Sequence, residues 1–196
     1  MGLSIHYSGK LKQADLLTNL IEEIIDVSEA HHWKFHIFNS AYPGNKFSKE
    51  TVFDEIFGIN FTPTDCETIS IAFLSNGKMV CPARVHFFAN SEKKEEQDYI
   101  YSNSVKTQYA GIQTHQVIIL FFKYLSNKYF DDFELSDESG YWESNDEEKM
   151  KKQFQIYNRL IDDFALAFET LPAKEDEDMI TYLERLMKNV NSLKKE

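Results

Sequence analysis

The apolar residues of this 196-residue chain recur at two different periods, and the order of those periods restricts the fold more than any other feature. Near the start, Leu3, Ile5 and Tyr7 alternate with polar residues, which is the period of a half-buried strand. Between Asp15 and His32 the apolar residues instead recur every three or four positions, as on one face of a helix. The chain therefore combines strands with amphipathic helices.

In the rest of the chain, several predicted strands follow one another before the next helix, and two predicted helices come last. Strands are predicted at Lys34 to Asn39, Phe57 to Phe61, Thr68 to Leu74, Met79 to Phe88 and Phe133 to Leu135. Helices are predicted at Gln113 to Lys128, from Ser144 to just before Pro172, and at Asp178 to Leu193. Because the strands do not alternate strictly with helices, the pattern indicates an α+β fold: a mostly antiparallel sheet of about five or six strands, with helices mainly on one face and a peripheral C-terminal helix.

Two local signals refine this organisation. Asn76-Gly77 lies between two apolar runs, and this dipeptide is the strongest short signal for a hairpin turn. The acidic, Pro-containing segment from Leu171 to Asp178 separates the last helix from the rest of the chain. We therefore expect a single α+β domain at 1–171 and a C-terminal helical appendage at 172–196 packed on the same domain.

The charge balance limits the kinds of partner. The chain contains 21 Lys and Arg against 32 Asp and Glu, a formal net charge of -11. Phosphate backbones and anionic lipids repel so acidic a chain, so we expect no nucleic-acid and no membrane partner, whereas a basic protein partner is favoured. The longest apolar run, Val117 to Phe122, is far below the ~20 residues of a membrane span, and Met1 to Lys12 lacks a secretory apolar core. These features predict a cytoplasmic protein.

Several common catalytic motifs do not occur in the sequence. Its 7 Gly include no Gly-x-Gly pair and no Gly-x4-Gly-Lys, the patterns that cradle nucleotide phosphates. The chain also lacks His-Glu-x-x-His, Cys-x-x-Cys and Gly-x-Ser-x-Gly, which mark common zinc sites and serine hydrolases. We therefore expect no cofactor.

Histidines supply the metal-ligand candidates. His6, His36 and His86 all fall on predicted strands, so neighbouring strands would place three imidazoles on one sheet face, where they bind a metal. The strand register decides which face each side chain occupies, and the sequence does not set it. The alternative is that each is an ordinary solvent-facing or hydrogen-bonded histidine.

A second candidate site combines a histidine with carboxylates. Lys106, Tyr109 and His115 lie near the start of a predicted helix, and Asp137 or Glu138 would supply the base or orienting carboxylate of a general acid-base site. The spacing does not demand this arrangement. A buried His115 that hydrogen-bonds to a carboxylate for packing is the alternative, since structural ion pairs recruit the same residue types.

An acidic segment supplies a candidate binding patch. Between Asp131 and Glu148 the chain has nine acidic residues and no Lys or Arg, and Gly140 is followed by two adjacent aromatic residues. Dense like charges gain from a cationic partner, and rigid aromatics often anchor binding surfaces. The patch comprises Asp132, Glu134, Asp137, Glu138, Tyr141, Trp142 and Glu143. The alternatives are that the acids cap a helix and solvate an edge strand, and that Trp142 covers the core.

Five segments together resemble a family of bacterial proteins to which no activity is assigned. They are Leu3 to Gly9, Ser104 to Gly111, Tyr124-Leu125, Asp137-Glu138 and Gly140 to Glu143. The resemblance spans most of the chain. It implies a bacterial cytoplasmic origin, and it carries over no catalytic residue.

Three functional hypotheses follow. The leading one is a non-enzymatic acidic protein-binding module, similar to small immunity or adaptor proteins, that uses the carboxylate and aromatic patch. The second is a small hydrolase-like enzyme with a His and carboxylate site. The third is a homo-oligomeric scaffold that assembles through the last helix.

Overall fold

The computed structural model describes residues 2–174 and 176–193. Their strands form two antiparallel sheets. The first has the order β6-β1-β7, with β1 at Ser4–Leu11, β6 at Asn103–Lys106 and β7 at Phe130–Asp137. The second has the order β2-β3-β4-β5, with β2 at Lys34–Ile37, β3 at Phe57–Thr62, β4 at Ile69–Phe73 and β5 at Met79–Val80.

The predicted α+β class and antiparallel pairing are confirmed, but the strands divide between two sheets instead of lying in one. Strand β1 pairs with β6 on one side and with β7 on the other. Because both edges of β1 are occupied by strands from late in the chain, the central strands form a sheet of their own. A bridge between Lys10 and Lys78 joins the two sheets at one point.

The helices occupy the following positions among the described residues: α1 at Leu17–Ala30, α2 at Pro82–Phe88, α3 at Lys94–Tyr99, α4 at Gly111–Tyr129, α5 at Tyr141–Ser144, α6 at Glu147–Thr170 and α7 at Met179–Leu193. The amphipathic stripe predicted between Asp15 and His32 forms α1, which buries Leu17, Leu20 and Ile24. In the part of the chain that the structure describes, no helix has the length and apolar composition needed to cross a membrane.

One main core joins both sheets to α1 and α4. It contains Ile5 and Tyr7 of β1, Phe61 of β3, and Ile118 and Phe122 of α4. Tyr7 and Phe122 pack with their ring centroids 4.7 Å apart. The buried Tyr7 hydroxyl donates to the Ser70 carbonyl oxygen at 3.1 Å, which fixes β4 against the first sheet. Burial raises the pKa of Tyr7, so its phenol stays protonated.

The Asn76-Gly77 hairpin is confirmed, but the strand after it is much shorter than predicted. The amide of Leu74 donates to the Lys78 carbonyl oxygen at 3.1 Å, and Gly77 adopts φ 76°. Strand β5 then ends at Val80 because Pro82 has no amide proton for a sheet and sits in the first turn of α2. The predicted strand from Met79 to Phe88 is therefore wrong over most of its length.

The last helix packs against its neighbour. In the small cluster between α6 and α7, Ala167 and Leu186 are buried, and Phe164 and Tyr182 pack against them. An Arg185 guanidinium nitrogen also lies 2.7 Å from a Glu177 carboxylate oxygen, which ties α7 to the segment that precedes it. The segment predicted as an appendage is thus held to the end of α6 by a few side chains.

We predict that Gly58→Ala destabilises the fold, whereas Gly44→Ala does not. Gly58 has φ +119°, and a Cβ there would lie 2.2 Å from the Ile71 carbonyl oxygen, so both strain and a backbone clash oppose a side chain. At Gly44 an added Cβ meets nothing within 4 Å. We expect a loss of more than about 2 kcal/mol in the free energy of unfolding for Gly58→Ala and a change of no more than about 0.5 kcal/mol for Gly44→Ala, measured by urea denaturation. Equal stabilities would contradict the backbone placed at Gly58.

Candidate functional site

His115 lies at the centre of a buried polar network. It is in the first turns of α4, and its Nδ1 atom lies 2.7 Å from the hydroxyl of Thr107, which follows β6. Its Nε2 atom lies 2.9 Å from Ser139 Oγ and 3.2 Å from Asp137 Oδ1, at the end of β7. The side chains of His115 and Asp137 are both 0% exposed, and the imidazole meets the ring of Phe154 edge to face. The network therefore joins β6, α4, β7 and α6 inside the protein.

Asp137 accepts most of the hydrogen bonds in this network. Its carboxylate accepts the Ser139 hydroxyl at 2.7 Å and the backbone amides of Ser139, Tyr141 and Trp142 at 2.8, 2.9 and 3.1 Å. Burial alone raises the pKa of Asp137, but the hydrogen bonds from His115 and Ser139 and the charge of His115 outweigh it. The result is a pKa lowered to about 2. Asp137 is thus an ionised cap on the first turn of α5.

The network contains Ser, His and Asp, but it lacks the arrangement of a catalytic triad. In a triad, one imidazole nitrogen faces the serine and the other faces the aspartate. Here Ser139 and Asp137 share Nε2, while Thr107 occupies Nδ1. Because His115 is fully buried, a substrate has no access to it. The geometry is that of a structural network, the alternative that the sequence left open for His115.

The other residues predicted for the acid-base site lie elsewhere. The Lys106 backbone amide donates to a Glu67 carboxylate oxygen at 2.7 Å, and Tyr109 is 65% exposed. Glu138 accepts the Ser4 amide at 2.7 Å on the outer side of the first sheet. Of the five candidates, the structure brings together only His115 and Asp137.

The predicted acidic patch is also divided by burial. Asp137 and Tyr141 are buried, so including them in a surface patch was wrong: Asp137 caps α5, and Tyr141 is part of the main core. Trp142 is half-buried, and its ring lies 6.0 Å from that of Phe133. The members that remain exposed are Asp132, Glu134, Glu138 and Glu143.

The three histidines proposed as metal ligands lie on three separate elements. His6 is on β1 of the first sheet, and His36 is on β2 of the second. His86 is on α2 instead of a strand, because of the helix that Pro82 begins. Across residues 2–174 and 176–193, no three His, Cys, Asp or Glu side chains are grouped to hold a metal ion.

A cleft of about 540 Å³ lies over the outer side of β1, and we call it the β1 cleft. His6 and Ser8 of β1 line it, together with Glu134 of β7. Asp98 of α3 and Tyr101, which follows α3, line it from the other side. A second cavity of about 380 Å³ adjoins it and shares Ser8, Tyr101 and Glu134 with it. The two cavities form one groove along the sheet.

Charge changes along this groove. The β1 cleft contains the carboxylates of Asp98 and Glu134, and neither makes an ion pair with any other described residue. The adjoining cavity contains Asp132 together with Lys10 and Lys78. Lys78 Nζ lies 5.4 Å from the centroid of the Tyr101 ring. The groove is therefore acidic at the β1 cleft and of mixed charge beyond Tyr101.

Asp98 and Tyr101 were missed by the sequence analysis. The segment around them is charged and short, and it reads as a solvated connection between elements. Only the pairing of β6 with β1 brings Tyr101 and Asp98 beside His6, across about ninety positions of sequence. The available signal was the pair of aromatic residues Tyr99 and Tyr101 beside a charged segment, because rigid aromatics often mark a binding surface.

Comparison with known proteins found no relative. No family model matches the chain, and no match was found among the curated proteins or the solved structures.

We predict that Asp137→Asn lowers the free energy of unfolding at pH 7 by about 2 to 4 kcal/mol, because the amide cannot accept the same set of bonds. The pKa of Asp137 lies below its usual 3.8, at about 2, so the carboxylate stabilises the fold fully above about pH 4 and loses this effect as the pH falls towards 2. The stability gap between the two proteins should therefore narrow over that range in urea denaturation experiments.

Asp131→Asn is the matched control, because Asp131 is an exposed acid on the same strand. We expect it to change stability by no more than about 0.5 kcal/mol at either pH. A gap for Asp137→Asn that is the same at pH 7 and pH 2.5 would show that its ionised carboxylate is not what stabilises the network.

Proposed function

We propose that this protein is a non-enzymatic binding module that takes a cationic side chain of a basic partner protein into the β1 cleft. The observation that carries the proposal is the position of two carboxylates, Asp98 and Glu134, on different elements around one concave site of about 540 Å³. A lysine or arginine between them would exchange water for two charge-assisted hydrogen bonds. Glu134 comes from the predicted acidic patch, and Asp98, which lies outside that patch in the sequence, faces the same cleft.

The charge of the whole chain supports the same kind of partner. A net charge of -11 attracts basic proteins over long distances and raises the rate of encounter. Glu134 lines both cavities, whereas Asp132 in the second cavity is offset by Lys10 and Lys78, so the negative potential is strongest at the β1 cleft. Steering of this type predicts association that slows as the salt concentration rises.

Tyr101 and the two lysines favour one orientation of the partner. The Tyr101 ring lies between the two cavities, with Lys78 Nζ near its centroid. An incoming cation is attracted to the acidic side of this ring, and it is repelled by Lys10 and Lys78 on the other side. A basic segment with an acidic or neutral flank would therefore lie along the groove in one direction.

The contents of the cleft favour binding over catalysis. His6 is the imidazole in the cleft, and its Nε2 atom lies 4.0 Å from Glu138, beyond hydrogen-bond distance. The hydrogen-bonded Ser139, His115 and Asp137 are buried away from the cleft and already satisfy one another. A binding module in the manner of small acidic immunity or adaptor proteins needs only the surface chemistry that the cleft has.

The test is a titration with a short peptide rich in Lys and Arg. Isothermal titration calorimetry measures the affinity, and NMR chemical shifts locate the bound peptide. We expect the shifts to cluster at His6, Ser8 and Tyr101. Glu134→Lys and Asp98→Lys should each weaken binding about tenfold or more and should reduce its dependence on salt, since each removes one attractive contact and adds repulsion.

Asp162→Lys provides the matched control, because Asp162 is an exposed acid on α6 and does not line the β1 cleft. It makes the same change in net charge, so only the general electrostatic attraction should fall. Equal losses in all three variants, or shifts that cluster on α6, would contradict a specific site at β1.

A further inference from the structure

The β1 cleft contains one residue of the type that changes its charge near neutral pH. The titratable residues that line the cleft are two carboxylic acids, two tyrosines and His6. Carboxylic acids as a class titrate in acid and phenols in alkali, whereas an imidazole gains its proton between about pH 8 and pH 5. The net charge of the cleft over this range therefore depends on His6.

The register of the first sheet places His6 on the open side of the sheet. Ile5 and Tyr7 of β1 are buried, so His6 between them points outward. It lies opposite Ser104 of β6 and Ser136 of β7, which carry no charge. Its side chain is 51% exposed, so it can take up a proton from the solvent without a change of fold.

The charged groups closest to His6 in the cleft are acidic. The carboxylates that share the cleft with it or lie beside it are Asp98 on α3, Glu134 on β7 and Glu138 directly after β7. The shortest of these separations is 4.0 Å, between His6 Nε2 and Glu138 Oε1. The basic residues on the adjoining elements are Lys106 on β6 and, in the second cavity, Lys10 and Lys78. None of the described residues that line the β1 cleft is Lys or Arg, so a protonated His6 is the cation in this cleft.

Protonation of His6 opposes a cationic ligand in two ways. The imidazolium repels a lysine or arginine side chain in the same cleft, because two like charges are then close together. It also becomes a charged hydrogen-bond donor for the surrounding carboxylates, so it competes for the acceptors that the ligand needs. A neutral imidazole has neither effect. The affinity of the cleft for a cation should therefore fall as the pH falls through the range in which histidine titrates.

We propose that His6 makes the β1 cleft a pH-dependent site, which takes a cationic side chain when the imidazole is neutral and releases it when the imidazole is protonated. This inference rests on the proposed function of the cleft. By linkage, the bound cation opposes the protonation of His6 by the same factor. Binding in the middle of the histidine range therefore releases a proton from the imidazole to the solvent.

The test uses the peptide rich in Lys and Arg, blocked at both ends and without histidine, at constant ionic strength. Isothermal titration calorimetry should give a dissociation constant that is about fivefold or more higher at about pH 5.5 than at about pH 7.5. At about pH 6.5, titrations in buffers of different ionisation enthalpy should show proton release on binding. In NMR spectra, the ring signals of His6 should titrate at a lower pH with the peptide than without it.

Two substitutions fix the charge at this position. His6→Gln keeps a neutral polar side chain, so its dissociation constant should stay low and change by less than about twofold between the two pH values. His6→Lys keeps a positive charge, so its binding should be weak at both. Circular dichroism at both pH values checks that each variant is folded. The proton-release and NMR measurements use the unsubstituted chain, so they do not depend on the variants.

His36→Gln is the matched control, because His36 is an exposed histidine on β2 and does not line the β1 cleft. It removes the same type of titrating group from the chain, so it should retain the full pH dependence. Any pH dependence that remains in His6→Gln reports the general loss of negative charge as the other histidines are protonated.

The possible failures of the two proposals differ. A peptide that binds in the β1 cleft with the same affinity at both pH values would overturn this inference and leave the proposed function intact. The same holds if His6→Gln loses as much affinity on acidification as the unsubstituted chain. Absence of binding at either pH, or binding that Glu134→Lys leaves unchanged, would overturn the proposed function and this inference with it.

Discussion

The ionised carboxylate of Asp137 is the interaction on which the arrangement of this fold depends. A buried charge is stable only when it is fully hydrogen-bonded, and here the amides of the α5 turn, the Ser139 hydroxyl and His115 supply the partners. His115 belongs to α4 and the amides belong to the turn that leads into α5, so the carboxylate fixes the end of β7 relative to both helices. Thr107 extends the same network to the end of β6.

Fixing β7 also positions the proposed binding site. Along this strand, Leu135 and Asp137 face the interior opposite Tyr7 and Ile5 of β1, while Glu134 and Ser136 face outward. One strand thus builds the buried network on one side and a wall of the β1 cleft on the other. The acidic segment that looks continuous in sequence therefore contains acids with two separate roles, structural caps and surface charges.

The sequence predicted the features that local patterns determine, and it failed where distant segments meet. The periodicity of α1 and the Asn76-Gly77 turn depend on neighbouring residues alone, and both are present. Pairing of β1 with strands about a hundred positions away is not encoded locally, so the division into two sheets and the contribution of Asp98 to the cleft were not predicted. Pro82 is an intermediate case. Its effect on β5 is local, but the predicted strand to Phe88 gave more weight to the apolar residues that follow the proline than to the proline itself.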